Sequence, residues 1–270
     1  MTKIYAEVIG DPIVHSKSPL IHNFWLDALG IDAEYTATHV VPDQLAGFFE
    51  ERKGDPAWRG CNITIPYKLA ALDHVTDSGG VRGSIGAINT VFRGEDGVVI
   101  GTNTDAGGFY APISELDLAG KPVVVIGAGG AARAVLFALS RIGVGPVTIL
   151  NRNVLKGAGL LSAFGLKGQA VPLTHAIPSA ALLVNTSALG MAGQPPLEID
   201  LSPLPDDALV YDVVYAPLET GLLAQARDRD LETVDGLEML VGQAAVAFEL
   251  FFGVEPPRDR DEELRDLLTA

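Results

Sequence analysis

Short apolar or β-branched runs alternate along most of the chain with longer stretches whose apolar residues recur at helical spacing. The runs predict strands at Ile4–Ile9, Glu34–His39, Gly60–Ile63, Ala87–Phe92, Val98–Gly101, Val123–Gly127, Val147–Asn151, Ala181–Asn185, Leu209–Val214 and Glu232–Val234, with helices in the gaps. This alternation predicts an α/β fold of parallel sheets covered by helices. Ser18-Pro19 reads as a helix start, with Ser18 as N-cap and Pro19 at the first helical position, and Pro42-Asp43 and Pro66-Tyr67 read as similar starts. The Phe92–Val99 piece, with Glu95-Asp96-Gly97 at its centre, reads as a hairpin. A hairpin closing one α/β unit just before a fresh βαβ run predicts a domain boundary near residues 101–105. Lys121 to Leu150 is the most hydrophobic stretch, but its glycines, Arg133 and Arg141 leave it far from the roughly 20 apolar residues of a membrane span, so it reads as buried core. The tail from Glu255 to Asp266 reads as a solvated terminal helix.

Composition narrows the class. With 270 residues, 48% hydrophobic and 20% charged, the chain is a globular protein of one large or two modest domains, and disorder is excluded. A net charge of −15 repels polyanions, which sets aside nucleic acid and acidic membrane surfaces as partners. The single cysteine, Cys61, excludes an internal disulfide, and with five scattered histidines it argues against a structural zinc site. Glu7 and Asp11 interrupt the place where a secretory signal carries its apolar region, so a cytoplasmic protein without metal is expected. The charge is unevenly placed. Between Leu118 and Leu197 there is no Asp or Glu, while Lys121, Arg133, Arg141, Arg152, Lys156 and Lys167 supply six positive charges, leaving −21 on the rest of a chain whose total is −15.

That basic segment holds the strongest chemical signal. Val123-Val124-Val125-Ile126 runs into Gly127-Ala128-Gly129-Gly130-Ala131-Ala132 and an apolar helix, a buried strand followed by G-x-G-x-x-A. In such a turn Gly127 permits the tight bend, Gly129 lets backbone approach a pyrophosphate, and Ala132 lets the helix pack close to the strand with its N-terminus facing phosphate. About 20 positions on, where NAD-binding members carry an acidic residue for the ribose hydroxyls, stand Asn151-Arg152-Asn153, with Lys156 one turn later. A 2′-phosphate suits that site, so the expected cofactor is NADP(H). Arg133, in the first turn of the helix, is a further candidate near phosphate. No G-K-[ST] occurs, and no Tyr precedes a Lys by four residues, which excludes a P-loop and the short-chain dehydrogenase acid/base pair.

Upstream lie four polar clusters inside apolar sequence, where buried polar groups need partners that a ligand can supply. In Gly10-Asp11-Pro12-Ile13-Val14-His15-Ser16-Lys17-Ser18, the hydroxyls of Ser16 and Ser18 point the same way in an extended segment before a helix N-terminus, a neutral seat for a carboxylate. In Gly60-Cys61-Asn62-Ile63-Thr64-Ile65-Pro66-Tyr67-Lys68, Asn62 and Thr64 share one face while Cys61, Ile63 and Ile65 take the other. Cys61 is therefore core, and Lys68 lies at the strand's carboxyl end, where α/β folds bind ligands. The remaining clusters are Gly86-Ala87-Ile88-Asn89-Thr90 and Gly101-Thr102-Asn103-Thr104-Asp105.

Together these blocks, with Asp212-Val213-Val214-Tyr215 and Gly236-Leu237-Glu238-Met239-Leu240-Val241-Gly242-Gln243, run nearly the whole chain in a single order. The sequence resembles the shikimate dehydrogenases, NADP-dependent enzymes that reduce 3-dehydroshikimate to shikimate on the route to chorismate and the aromatic amino acids. The resemblance implies that Ser16, Ser18 and Tyr215 hold the substrate carboxylate. It implies that Asn62, Thr64, Asn89, Asp105 and Gln243 bind ring hydroxyls, with Lys68 and Asp105 as the catalytic pair. It places Ala128, Gly130, Ala131, Thr186, Val213 and Gly236 with the glycine turn and Asn151 to Lys156 around the cofactor, and Gly190 and Met191 near the nicotinamide. It also implies a discontinuous substrate domain with a mixed, mostly parallel sheet (1–103 with 237–270, the last helices packing back on it) and a Rossmann-like NADP domain at 104–236. Departures from the family pattern are Lys156 where Arg is frequent, Asn153 where Thr is common, and Asn185-Thr186-Ser187 in place of N-A-T-S.

In the expected mechanism Lys68 protonates the alkoxide formed on the reduced ketone and Asp105 orients it. Two alternatives remain at this stage: a quinate/shikimate dehydrogenase that uses NAD, and a non-catalytic NADP or dehydroshikimate-binding regulator, against which the intact Lys68 and Asp105 argue. Monomer and homodimer both fit.

Overall fold

The alternating patterns resolve into two sheets in the computed structural model, which describes residues 3–270. The chain divides into two compact units, one holding the chain up to Thr104 together with Val241–Ala270 and the other Asp105–Leu240.

The first unit contains β1 (Ile4–Gly10), α1 (Ser18–Leu29), β2 (Ala33–His39), α2 (Leu45–Gly54), β3 (Trp58–Ile63), α3 (Val81–Ser84), β4 (Thr90–Arg93) and β5 (Val99–Thr102). The sheet order is β2-β1-β3-β4-β5. β1 runs parallel to β2 and β3, whereas β3–β4 and β4–β5 are antiparallel, so the sheet is mixed with the two pairings in equal number. The antiparallel half stems from the hairpin, in which Gly94 N donates to Val98 O at 2.9 Å. Ile21, Trp25 and Leu26 line one stripe of α1 and are buried with Ile9, Tyr35, Trp58, Cys61 and Ile63. Glu7 is buried in β1 with its carboxylate oxygens partnered: Arg52 Nε donates to one at 2.7 Å and the Thr38 hydroxyl donates to the other at 2.5 Å.

Several local expectations are corrected. Ser18 is the first residue of α1 and Lys17 is the cap; the Ser16 hydroxyl accepts the Ser18 N–H at 3.3 Å instead. Pro66 begins no helix. Tyr67 N donates to Thr64 O at 2.9 Å and the buried Tyr67 hydroxyl reaches Val40 O, so the chain turns there and becomes helical only in the 3-10 turn Ala70–His74. Because β3 stops at Ile63, Ile65 leaves the strand alternation and is exposed, unlike Cys61 and Ile63.

The second unit contains α4 (Asp105–Tyr110), β6 (Val123–Ile126), α5 (Gly130–Ile142), β7 (Val147–Leu150), α6 (Val154–Ala163), β8 (Gly168–Val171), β9 (Leu182–Asn185), β10 (Leu209–Asp212), α7 (Gly221–Arg227) and β11 (Glu232–Val234). All its strands are parallel, in the order β11-β10-β9-β6-β7-β8. Val123 and Val125 face one apolar layer with Ala132, Val135 and Tyr211, and Val124 and Ile126 face the other with Leu183 and Val210, as a sheet covered on both sides requires. β8 has no counterpart among the expected strands.

α8 (Gly236–Phe252) begins in the second unit, and its later turns belong with α9 (Asp261–Thr269) to the first. The tail is more than a solvated helix. Leu264 and Leu268, four apart on one face of α9, are buried, Lys17 Nζ donates to Leu268 O, and the Arg260 guanidinium lies 4.8 Å from the Phe24 ring centroid.

Phe248 and Phe251 of α8 close over His22, which is fully buried with neither ring nitrogen hydrogen-bonded to a described residue. Burial pushes its pKa down from 6.5 to about 3. The folded state therefore refuses a proton that the unfolded chain takes up below about pH 6.5, so this contribution to stability is complete above that pH and is lost as pH falls toward 3. The loss runs at up to about 1.4 kcal/mol per pH unit. Urea midpoints of the wild type and His22→Leu, measured between pH 7 and 4, should show the wild type losing stability more steeply; parallel curves would contradict the assignment.

Candidate active site

In the first unit, the carboxyl ends of β1 and β3 lie side by side, and the chain leaves them through Gly10 and Thr64. Thr64 N donates to Ile9 O and Asp11 N to Ile65 O, both at 3.0 Å, so the loop carrying Ser16 is fastened beside the one carrying Thr64 and Lys68. Ser16 and Thr64 are half-buried and Ser18 is buried. Lys68 is half-buried, and its carbonyl accepts Ile88 N at 2.7 Å, tying its turn to the segment before β4. Gly10 has no room for a side chain: a Cβ there would stand 2.5 Å from Thr64 Cγ2 and 3.0 Å from Ile65 O. Gly10→Ala must rotate Thr64 or shift its loop, at a cost of roughly 1–3 kcal/mol. The expected result is a lower urea midpoint and a higher KM for the substrate, with an unchanged KM overturning the role of Thr64.

A buried amide and hydroxyl cluster stands behind these loops. Asn62 Nδ2 donates to Thr90 Oγ1 at 3.0 Å and to Asn89 O at 3.3 Å, and its Oδ1 accepts the Tyr35 hydroxyl at 2.6 Å. Asn89 Nδ2 donates to Thr104 Oγ1 at 2.9 Å and to Gln243 Oε1 at 3.1 Å, while its Oδ1 accepts Thr104 N at 2.7 Å. Asn62, Asn89 and Gln243 are thus brought together from β3, the turn before β4, and α8; Ser16, Ser18 and Thr64 stand outside the cluster. Tyr35 is a member that the sequence does not single out, and Thr90 and Thr104, which lie in two of the polar clusters of the sequence, have no role assigned to them there.

In the second unit the chain winds β6-β7-β8 one way and β9-β10-β11 the other, so the direction reverses between β6 and β9. The register aligns Ile126 with Leu150 and Asn185, and Asn185 with Asp212. The next residues, Gly127, Asn151, Thr186 and Val213, therefore form the sheet's carboxyl edge at the switch point, where α/β sheets bind ligands. Gly127 has φ +107°, and a Cβ on it would stand 2.7 Å from Thr186 Oγ1, which donates to Ile126 O. Gly129 caps α5, so Gly130 and Ala131 present first-turn N–H groups. Ala128 is buried beneath the turn.

The corner after β7 is braced internally. Asn151 Nδ2 donates to Asn153 O at 2.8 Å, and Asn153 caps α6 by accepting Lys156 N at 3.1 Å. Arg152 and Lys156 project from it exposed and make no ion pair among the described residues. Two free cations without a neighbouring carboxylate fit a phosphate on the ribose better than a bare diol.

Asp212 fastens the remaining loops. Fully buried, it accepts Asn185 Nδ2 at 2.9 Å, Val214 N at 3.0 Å and Thr220 Oγ1 at 2.7 Å, and burial holds its carboxyl above the usual range. Val213 N donates to Asn185 O at 3.0 Å and Ala192 N to Ala216 O at 2.7 Å, so the segments bearing Thr186, Gly190 and Met191 are held to those bearing Val213 and Tyr215. Gly236 stands against the Val213 and Val214 carbonyls. Burial pushes the Tyr215 phenol up, keeping it a neutral donor. Asp105 is buried as the first residue of α4.

Family models match three stretches of the chain: a shikimate dehydrogenase substrate binding domain over residues 8–91, shikimate / quinate 5-dehydrogenase over 111–184, and a shikimate 5'-dehydrogenase C-terminal domain over 236–264. The chain is 65% identical over 266 residues to the shikimate dehydrogenase (NADP(+)) of Sphingopyxis alaskensis, covering 98% of this chain and 97% of that one. The chain belongs to the shikimate dehydrogenase family. Among solved members, the Thermus thermophilus shikimate 5-dehydrogenase in complex with NADP(H) and shikimate is 37% identical and superposes with a TM-score of 0.86 over 98% of this chain and 99% of that one. The Corynebacterium glutamicum quinate dehydrogenase in complex with NAD is 32% identical, with a TM-score of 0.87 over 98% and 99%. No described helix is long and apolar enough to cross a membrane, and no group of three or more His, Cys, Asp or Glu among the described residues could hold a metal ion.

Proposed function

We propose that this chain reduces 3-dehydroshikimate to shikimate with NADPH and runs the reverse oxidation with NADP+, the first unit binding the substrate and the second the dinucleotide. The observation that carries the reading is the buried cluster of Asn62, Asn89, Thr104 and Gln243, a neutral set of amides and hydroxyls suited to a small ring bearing several hydroxyl groups. Ser16, Ser18 and the neutral phenol of Tyr215 supply hydroxyl donors for the ring's carboxylate, and Thr64, Asp105 and Gln243 supply partners for its hydroxyls. Asn62 spends its polar atoms on Tyr35, Thr90 and Asn89, and Asn89 spends its own on Thr104, Gln243 and Thr90, so both act by holding the site in place rather than by binding ring hydroxyls.

The nicotinamide, when bound, supplies the hydride. Reduction of the ketone leaves an alkoxide that needs a proton as its charge develops. Lys68 protonates that oxygen and takes the proton back in the oxidising direction, while Asp105 orients Lys68 and the substrate hydroxyl. Arg152 and Lys156 would hold the 2′-phosphate, the first-turn N–H groups of α5 would take the pyrophosphate, and Gly190 and Met191 would serve the nicotinamide. The enzyme is cytoplasmic and works as a monomer or homodimer.

Incubation of the purified protein with 3-dehydroshikimate and NADPH should yield one shikimate per NADPH consumed, identified by chromatography and mass; NADPH left unconsumed would refute the reading. The quinate dehydrogenase likeness favours one variant, in which quinate is a second and poorer substrate.

A further inference from the structure

The loop that carries Ser16 and Ser18 is held on two sides. Toward β1 the fasteners are Asp11 N, which donates to Ile65 O at 3.0 Å, and a turn in which Ser16 N donates to Ile13 O at 3.0 Å. Toward α1 the fastener is Lys17, the half-buried residue between the two serines. Its carbonyl accepts Ile21 N at 3.2 Å in the first turn of α1, and its ammonium donates to Leu268 O in the last turn of α9.

That second bond answers a need of α9. The last carbonyls of a helix have no intrahelical donor and lie at the negative end of its dipole, where a cation is favoured. α9 carries Asp261, Glu262 and Glu263 in its first turn and no basic residue in its last, so its own sequence provides no cation for that end. Lys17 supplies one from the start of α1. At the opposite end of α9 the Arg260 guanidinium lies 4.8 Å from the Phe24 ring centroid, and Leu264 and Leu268 are buried along the face of α9 between these two contacts. Lys17 and Phe24 stand about 10 Å apart along α1, and Arg260 and Leu268 about 12 Å apart along α9, at roughly 1.5 Å per residue. The two helices therefore run antiparallel with matched spans, and the end of α9 rests on the residue between the serines.

We propose that α9 is a latch on the carboxylate-binding loop, and that Lys17 is the positioning residue through which it fixes the Ser16 and Ser18 hydroxyls. The proposal rests on the shikimate dehydrogenase reading, in which those hydroxyls take the substrate carboxylate. The Lys17 ammonium holds the loop to α9, and the serines meet the anion.

Lys17→Met keeps the unbranched stem and removes the ammonium. The expected result is a rise in KM for shikimate of roughly five- to tenfold, the effect of about one hydrogen bond, with kcat and KM for NADP+ each changed by less than about twofold. Lys17→Arg, whose guanidinium also donates to a carbonyl, should recover most of the loss. Leu264→Ala loosens α9 without touching Lys17 and should raise the shikimate KM in the same way. A wild-type shikimate KM in Leu264→Ala would mean that Lys17 meets the substrate itself, and would overturn the latch. Coupling between two sites is reciprocal, so saturating shikimate should slow hydrogen exchange of the α9 amides in the wild type and not in Lys17→Met. If Leu264→Ala fails to fold, this exchange measurement decides alone. An unchanged shikimate KM in Lys17→Met, an equal rise in both KM values, or α9 amides indifferent to shikimate would overturn the proposal. A wild type that forms no NADPH from shikimate would instead overturn the functional reading, and the proposal with it.

Discussion

Lys68→Ala is expected to lower kcat by on the order of 10²–10⁴-fold, the usual contribution of one positioned acid or base, with only a modest change in KM for shikimate. Lys68 sits in the turn that follows β3 and is anchored through its carbonyl to Ile88 N. Its backbone position is therefore set by hydrogen bonds that the substitution leaves in place, and the loss should fall on chemistry rather than on folding. Lys68→Arg should not restore the rate, because a guanidinium keeps its proton across the working pH range. Asp105→Asn should also be slow. If the two residues act as one unit, the double variant should be hardly slower than Lys68→Ala alone. The test is steady-state kinetics on all four proteins, and a Lys68→Ala enzyme with wild-type kcat would end the assignment.

The second large effect concerns the cofactor. Arg152→Ala should lower the NADP+ to NAD+ ratio of kcat/KM by roughly 10- to 100-fold, the range of a charge-assisted contact worth about 1.5–3 kcal/mol. Arg152 and Lys156 leave a corner whose fold is held by Asn151 and Asn153, so removing the guanidinium should not disturb the β7-to-α6 turn. Lys156→Ala should shift the ratio in the same direction by less, since an ammonium presents no planar fork. An unaltered ratio in Arg152→Ala would show that the phosphate is recognised elsewhere.

The sites were legible where chemistry is local. The glycine turn, the Asn151-Arg152 corner and the loops after β1 and β3 each combine a strand end with polar residues inside a few positions, and the β-α alternation carries most of the sheet order. What could not be read depends on distant pairing. Asn89 and Gln243 are 154 residues apart in sequence yet hydrogen-bonded, and Tyr35 reads as an ordinary strand aromatic until Asn62 is placed against it. Glu7, which in the sequence argues against a signal peptide, is buried in the core against Arg52, 45 residues away. β8 escaped notice because Gly168-Gln169-Ala170-Val171 is a half-exposed edge strand with little β-branched content. The expected helix at Pro66 failed because Tyr67 is drawn into the core by Val40 O, a contact that local helix signals do not encode.

The most direct test of the account is the initial rate of reduced-nicotinamide formation by the purified protein, with shikimate or quinate as substrate and NADP+ or NAD+ as acceptor. Shikimate with NADP+ should give by far the highest kcat/KM of the four pairings. No turnover of shikimate, or a preference for NAD+, would contradict it.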